Sequence, residues 1–139
     1  MLRENYNFCP LISEVYFMKF EGSQYTFNGW HPGIVCQNNT GNKYSGSIIA
    51  IPLTSKIDRL DIPTNVLLPA SEVGLPKTSM ALCSSVQVVS KRSIGDFITI
   101  LPDEFMKKIA AAFICSVPLL AYLNTADIGP IREKAMQLN

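Results

Sequence analysis

At 139 residues the chain has room for one hydrophobic core and not two. Apolar residues make up 47% and charged residues 17%, which excludes the disordered and coiled-coil classes. Twelve Lys and Arg against eleven Asp and Glu leave a charge of +1, so an anionic partner must be met by a local patch and not by a global field.

Residues 1–13 read as a short extension or an edge segment. Glu14 to Phe20 (EVYFMKF) is rich in β-formers and predicts a strand. EGSQYTFNGWHP follows as a polar loop, with Gly22, Asn28-Gly29 and Pro32 as breakers. Gly33 to Gln37 resumes as a strand, and Asn38 to Ser45 is turn chemistry throughout. Ser47 to Leu53 (SIIAIPL) is nearly all apolar, the pattern of a strand covered on both faces. Pro52 within it predicts a bulge or an edge.

After a loop at Asp58 to Pro63, Asn65 to Leu68 predicts a short strand. Ser79 to Cys83 and Val86 to Val89 read as two strands, or as one kinked at Ser84-Ser85; Ser93 to Ile100 is a short strand or turn. A helix begins at Pro102, with Asp103 and Glu104 complementing its positive end. Met106, Ile109, Ala110, Phe113 and Val117 recur at helical spacing, and Pro118 ends the run. The tail is polar, with a break at Gly129-Pro130 and a short helical stretch beyond it. Five or six short strands followed by one helix predict a mainly β fold: a small barrel or curled sheet with a C-terminal helix, in one domain with its core at about residues 14–123.

Cys9, Cys36, Cys83 and Cys115 form no CxxC pair, which argues against a zinc knuckle or a thioredoxin-type site. They read as reduced thiols, mostly core fillers, in a cytoplasmic protein. Ile109 to Leu123 carries no charge, but it is short for a membrane span and contains Pro118, so a buried helix is expected. The N-terminus lacks the apolar run of a targeting peptide.

No phosphate-binding loop, dinucleotide fingerprint, HExxH or GxSxG motif is present. Residues 22–57 contain no Asp or Glu but do hold His31, Lys43 and Lys56, a composition suited to a phosphodiester. His31, in NGWHPG, is a candidate for proton transfer; a loop-stabilising hydrogen bond is the plain alternative. Thr54 closes an apolar strand, where capping is the plain alternative. Tyr25, Phe27 and Trp30 suit base stacking, or equally a lid over the barrel.

The ordered set His31-Pro32, Ile34 to Asn39 (IVCQNN), Gly41-Asn42 and Ile48 to Ser55 resembles the front half of the MazF/PemK family of toxin ribonucleases. IPTNVLLPASEVGLPKTSMALCSSVQVVSKRSI and the LPDEFMKKIAAAF helix match its later pieces in order. The resemblance implies a small SH3-like β-barrel with a C-terminal helix, working as a homodimer; the apolar helix residues Phe105, Ile109 and Phe113 suit a dimer seam, or equally a cap over the chain's own barrel. It also implies sequence-specific cleavage of single-stranded RNA without metal or cofactor. A cognate antitoxin would be the protein partner, DNA would be met only through the toxin–antitoxin complex, and no membrane would be involved.

The family's catalytic pair is an Arg and a Thr. The Thr carries over to Thr54; His31 stands where the Arg would be. Arg supplies only charge and donors, whereas a His, with a reference pKa of about 6.5, can also exchange protons. His31 and Thr54 are therefore the expected catalytic residues, with Trp30, Gln37, Ser55, Lys56, Ser84 and Ser85 as RNA contacts. Ser84-Ser85 stand where the family often has Glu-Gln, Gln87 where it has Arg, Thr26 where it has Glu, and Asn39 where it has Asp. These departures also admit a catalytically inactive barrel that binds an antitoxin or acts as a regulatory module. A gyrase-poisoning barrel would need a Trp-Gly-Ile type tail, and this chain ends in AMQLN.

Overall fold

The apolar run predicted to be covered on both faces is the middle of the molecule. A computed structural model describes residues 7–23 and 27–122. Its strands are β1 (Glu14–Phe20), β2 (Gly29–Val35), β3 (Ser47–Thr54), β4 (Asn65–Leu68), β5 (Ser79–Leu82), β6 (Gln87–Ser90) and β7 (Ile94–Ile100). The helices are α1 (Asn39–Tyr44), α2 (Ala70–Val73) and α3 (Asp103–Ser116). Expectations about the first six residues, Tyr25, Thr26 and the tail beyond Tyr122 lie outside the described residues.

The strands form one curled antiparallel sheet in the order β4-β5-β3-β2-β1-β7, with β6 also on β3. This is the mainly β, barrel-like architecture with a C-terminal helix, though no ladder joins β4 to β7. Seven strands form where five or six were expected. Residues 79–90 split into two strands because β5 and β6 take different stretches of β3: Leu53 and Thr54 pair with β5, and Ser47 to Ala50 with β6. Pro52 falls at that change of partner. The Ile49 carbonyl accepts from Cys36 N–H, so strand alternation turns Pro52 the other way, into the gap between β6 and β5. A central strand thus tolerates a proline with neither a bulge nor an edge.

Alternation along β1, β2 and β3 feeds two cores. Val15, Ile34, Ile51 and Leu53 join Val66, Leu68 and the α3 residues Phe105, Ile109 and Ala112 on one face. Tyr16, Met18, Phe20, Val35, Ile48 and Ala50 join Val89 and Ile94 on the other. The continuous apolar reading of β3 follows directly, since each face buries its own side chains.

Three local expectations are corrected. Asn38–Ser45 is not only turn but holds the helix α1. Asn38 caps it by accepting Gly41 N–H at 2.8 Å, and buried Asn42 donates to the Gln37 carbonyl at 3.0 Å. The ammonium of buried Lys91 donates to the Lys43 carbonyl in its last turn. Side-chain bonds hold this helix against weak propensity. The buried face of α3 is also rotated from the expected one. Phe105, Ile109 and Ala112 cover the chain's own core, while Phe113, Ile114 and Val117 stay partly exposed. Finally, only Cys83 is buried and Cys36 half-buried; Cys9 and Cys115 are exposed, and all four are free thiols. No helix among the described residues is long and apolar enough to cross a membrane.

Candidate active site

His31 lies inside β2 and not at a loop exit as the breakers suggested, paired with Met18 of β1. Pro32 does not break this strand, because β1 supports it on one side (Phe17↔Pro32). On the other side Pro32 has a consequence. The β2–β3 ladder runs Val35↔Ala50, Ile34↔Ile51 and Gly33↔Pro52, and stops there. The next pair in register is Pro32 and Leu53. Alternation turns the Pro32 nitrogen toward β3, where it has no hydrogen to donate. Continued by one further residue, the same register sets His31 opposite Thr54 on a shared face.

That face is the one holding the second core. Met18, opposite His31, is in it, and so is Ala50, which lies four residues before Thr54 and on the same side of β3. In an antiparallel register His31↔Thr54 falls among the pairs that exchange no backbone bonds, where side chains approach most closely. Both residues therefore lie on the second-core side of the sheet, just past the last paired residues of the β2–β3 ladder.

The imidazole is held from one side. Its ring packs on Phe27 with centroids 4.2 Å apart, and Nε2 lies 3.1 Å from the Asn28 carbonyl. A carbonyl can only accept, so Nε2 carries a proton, and in the neutral ring Nδ1 then holds the lone pair. Gly29, at φ +95°, makes the turn that brings this carbonyl back to the ring. Thr54 Oγ1 accepts the Lys56 N–H at 3.1 Å, which leaves its hydroxyl hydrogen to point outward.

The remaining expected residues divide by position. Ser55 and Lys56 follow Thr54 directly and are exposed. The Ser84-Ser85 turn links β5 to β6 beside Pro52, two residues along β3 from Thr54, and is closed by Ser85 N–H donating to the Leu82 carbonyl. Gln37 lies beyond the opposite end of β2. At about 3.3 Å per residue it is some 20 Å along the chain from His31. Its amide nitrogen is used internally, on Asn42 Oδ1 at 3.4 Å and the Ser47 carbonyl at 3.3 Å. Trp30 alternates with His31 onto the other face of β2, where it stacks on Phe17 with centroids 5.5 Å apart. The structure thus does not bring Gln37 and Trp30 to the His31–Thr54 face.

One residue on this face was not expected. Gln87 opens β6 opposite Ala50, on the same face as His31 and Thr54, and its amide donates to the Phe27 carbonyl at 2.6 Å. Sixty positions separate the partners, and no local signal in the sequence joins them. The ion pair among the described residues, Arg59 with Asp61, lies in the β3–β4 loop, where the guanidinium holds the Asp61 carboxyl below its ordinary range. Burial pushes the Cys36 thiol up to about 12 and Cys83 to about 11, so neither serves as a nucleophile.

Comparison with known proteins agrees with this scaffold. The family model for PemK-like, MazF-like toxins of type II toxin-antitoxin systems matches residues 13–117. An endoribonuclease MazF from Staphylococcus saprophyticus is 34% identical over 91 residues, 66% of this chain and 76% of that protein. The crystal structure of MazF from Deinococcus radiodurans shares the fold with a TM-score of 0.70 at 18% identity, over 80% of this chain and 98% of that one. A mycobacterial endoribonuclease solved in complex with its cognate antitoxin gives a TM-score of 0.64 at 25% identity, over 79% and 96%. The chain belongs to the PemK-like, MazF-like toxin family of type II toxin-antitoxin systems.

Proposed function

We propose that this protein is an endoribonuclease toxin that cleaves single-stranded RNA with His31 and Thr54, and that an antitoxin neutralises it. The observation that carries the reading is the shared face of His31 and Thr54 at the end of the β2–β3 ladder, on the scaffold of this family.

The reaction runs on groups of the chain, the substrate and solvent. The 2′-oxygen attacks the adjacent phosphorus as its proton leaves, and the bond from phosphorus to the 5′-oxygen breaks. The products are a 2′,3′-cyclic phosphate and a 5′-hydroxyl. His31 Nδ1, with its lone pair free, takes the 2′ proton, and the imidazolium so formed keeps its Nε2–H on the Asn28 carbonyl. The Thr54 and Ser55 hydroxyls donate to the phosphorane oxygens, and the Lys56 ammonium offsets their charge. Ser84 and Ser85, on the adjoining turn, face the flanking nucleotides. A proton from solvent or from the spent imidazolium completes the 5′-hydroxyl.

The reading extends to assembly. The outer face of α3 (Met106, Ala110, Phe113) borders an apolar cavity of about 270 Å³ with Ile12, Cys36 and Ile49, and a second copy of the chain is the proposed cover. The second reading, an inactive antitoxin-binding barrel, is favoured by the missing family Arg at position 31. One assay separates the two. RNA incubated with pure protein in EDTA should yield 2′,3′-cyclic phosphate and 5′-hydroxyl ends. Intact RNA alongside tight antitoxin binding would give the second reading instead.

A further inference from the structure

Gln87 takes no part in the chemistry just described, yet it reaches the imidazole through two steps. From β6 it crosses β3 to donate to the Phe27 carbonyl at 2.6 Å. Phe27 lays its ring on His31, and the next carbonyl, Asn28, accepts from His31 Nε2. Asn28 is anchored in turn, its amide donating to the Ser23 carbonyl at 3.0 Å. Phe27 also packs edge-on against Phe20 in the second core, with centroids 5.8 Å apart.

We infer that Gln87 is a positioning residue: its bond to Phe27 clamps the 27–29 segment so that the Asn28 carbonyl holds His31 with Nε2 protonated and Nδ1 free. The inference rests on the nuclease reading for its consequence, though not for its geometry. The 27–29 segment enters β2 through Gly29 at φ +95°, a conformation that leaves the backbone pliable. The Phe27 ring constrains the segment only by packing. The Gln87 amide supplies a directional bond from a different strand, and so fixes where the two carbonyls point. A neutral imidazole released from the Asn28 carbonyl divides between its two tautomers, and only one of them places a lone pair on Nδ1. A carbonyl on the far nitrogen also stabilises the imidazolium that forms when the proton arrives, the role a carboxylate plays in hydrolase triads.

His31 is the only histidine in the chain, so its ring signals can be read without assignment. The test is imidazole nitrogen NMR together with RNA cleavage, on wild type and Gln87→Leu. Wild type should show Nε2 protonated and Nδ1 bare. Gln87→Leu should show the mixed shifts of two exchanging tautomers, with kcat lowered about tenfold and KM changed less than about twofold. Gln87→Arg, which again offers a donor to the Phe27 carbonyl, should restore both readouts. If Gln87→Leu does not fold, Gln87→Glu, equal in size and without a donor at neutral pH, takes its place. An unchanged tautomer and unchanged kcat in a folded variant overturn the inference. The failure of the nuclease reading looks different: RNA stays intact with wild type, or His31→Ala cleaves at full rate, whatever the nitrogen shifts report.

Discussion

A histidine has two ring nitrogens, and here the Asn28 carbonyl occupies one of them. That contact is the loop-stabilising bond a bland reading of a lone His expects. It does not compete with proton transfer, because it uses Nε2 and leaves Nδ1. A hydrogen bond at one nitrogen is what makes the other a defined base. The cysteines show the opposite outcome. Cys36 and Cys83 sit against the first core, and burial raises both thiols, with the neighbouring Cys83 also raising Cys36. A thiol whose pKa is raised on folding works against the folded state once the pH is high enough for the unfolded thiol to ionise. Stability is fully present below the unfolded thiol pKa of about 8.5 and falls as pH climbs from there toward the folded values. Native protein at pH 8 should therefore lose only Cys9 and Cys115 to iodoacetamide, as read by mass spectrometry. Rapid labelling of Cys36 and Cys83 under the same conditions would contradict the burial assigned to them.

At the scale of elements, α3 carries two faces with different work. Phe105 is 3% exposed and fills the first core, whereas Phe113 is 36% exposed and borders the apolar cavity. Phe105→Ala should cost about 3–5 kcal/mol in denaturant unfolding, the loss typical of a buried aromatic. Phe113→Asp should leave the unfolding midpoint nearly in place and turn a sedimenting dimer into a monomer. A Phe113→Asp protein that still sediments as a dimer would remove the proposed seam.

The same elements mark how far sequence reasoning reaches. β1, β3 and β4 were legible because their apolar patterns are strong, and the start of α3 because Pro-Asp-Glu signals a helix entry. The N-terminal part of β2 was not, since Gly29 and Pro32 look like breakers until β1 is in place beside them. α1 was hidden because its stability comes from Asn38, Asn42 and Lys91, the last contributed from nearly fifty positions away. The site divided along the same line. His31 and Thr54 could be named from the order of motifs. Strand alternation then moved Trp30 to the other face, and the Asn42 network drew Gln37 inward. Gln87 stood out in the sequence only as a departure from the family's Arg, and its bond to the Phe27 carbonyl appears only in the fold.

For the molecule as a whole, two cores back to back give a sheet that is rigid in its middle and open where its partners change. β3 passes from β6 to β5 at Pro52, and β2 leaves β3 at Pro32. The two prolines fall next to each other in register, so the opening between strands sits just below His31 and Thr54. The fold places His31 and Thr54 where backbone pairing lapses, and the second core lies beneath His31 through Phe20 and Phe27. A family scaffold can in this way exchange a charged Arg for an imidazole without altering the strands that carry it.

The account stands on proton transfer by His31, and single-turnover RNA cleavage measured across pH with wild type and His31→Ala tests it most directly. His31→Ala should keep its circular dichroism and thermal midpoint, lose about 10²–10⁴-fold in rate, and lose the acidic limb of the wild-type pH profile. A folded His31→Ala protein that cleaves at the wild-type rate, with the same pH profile, would contradict it.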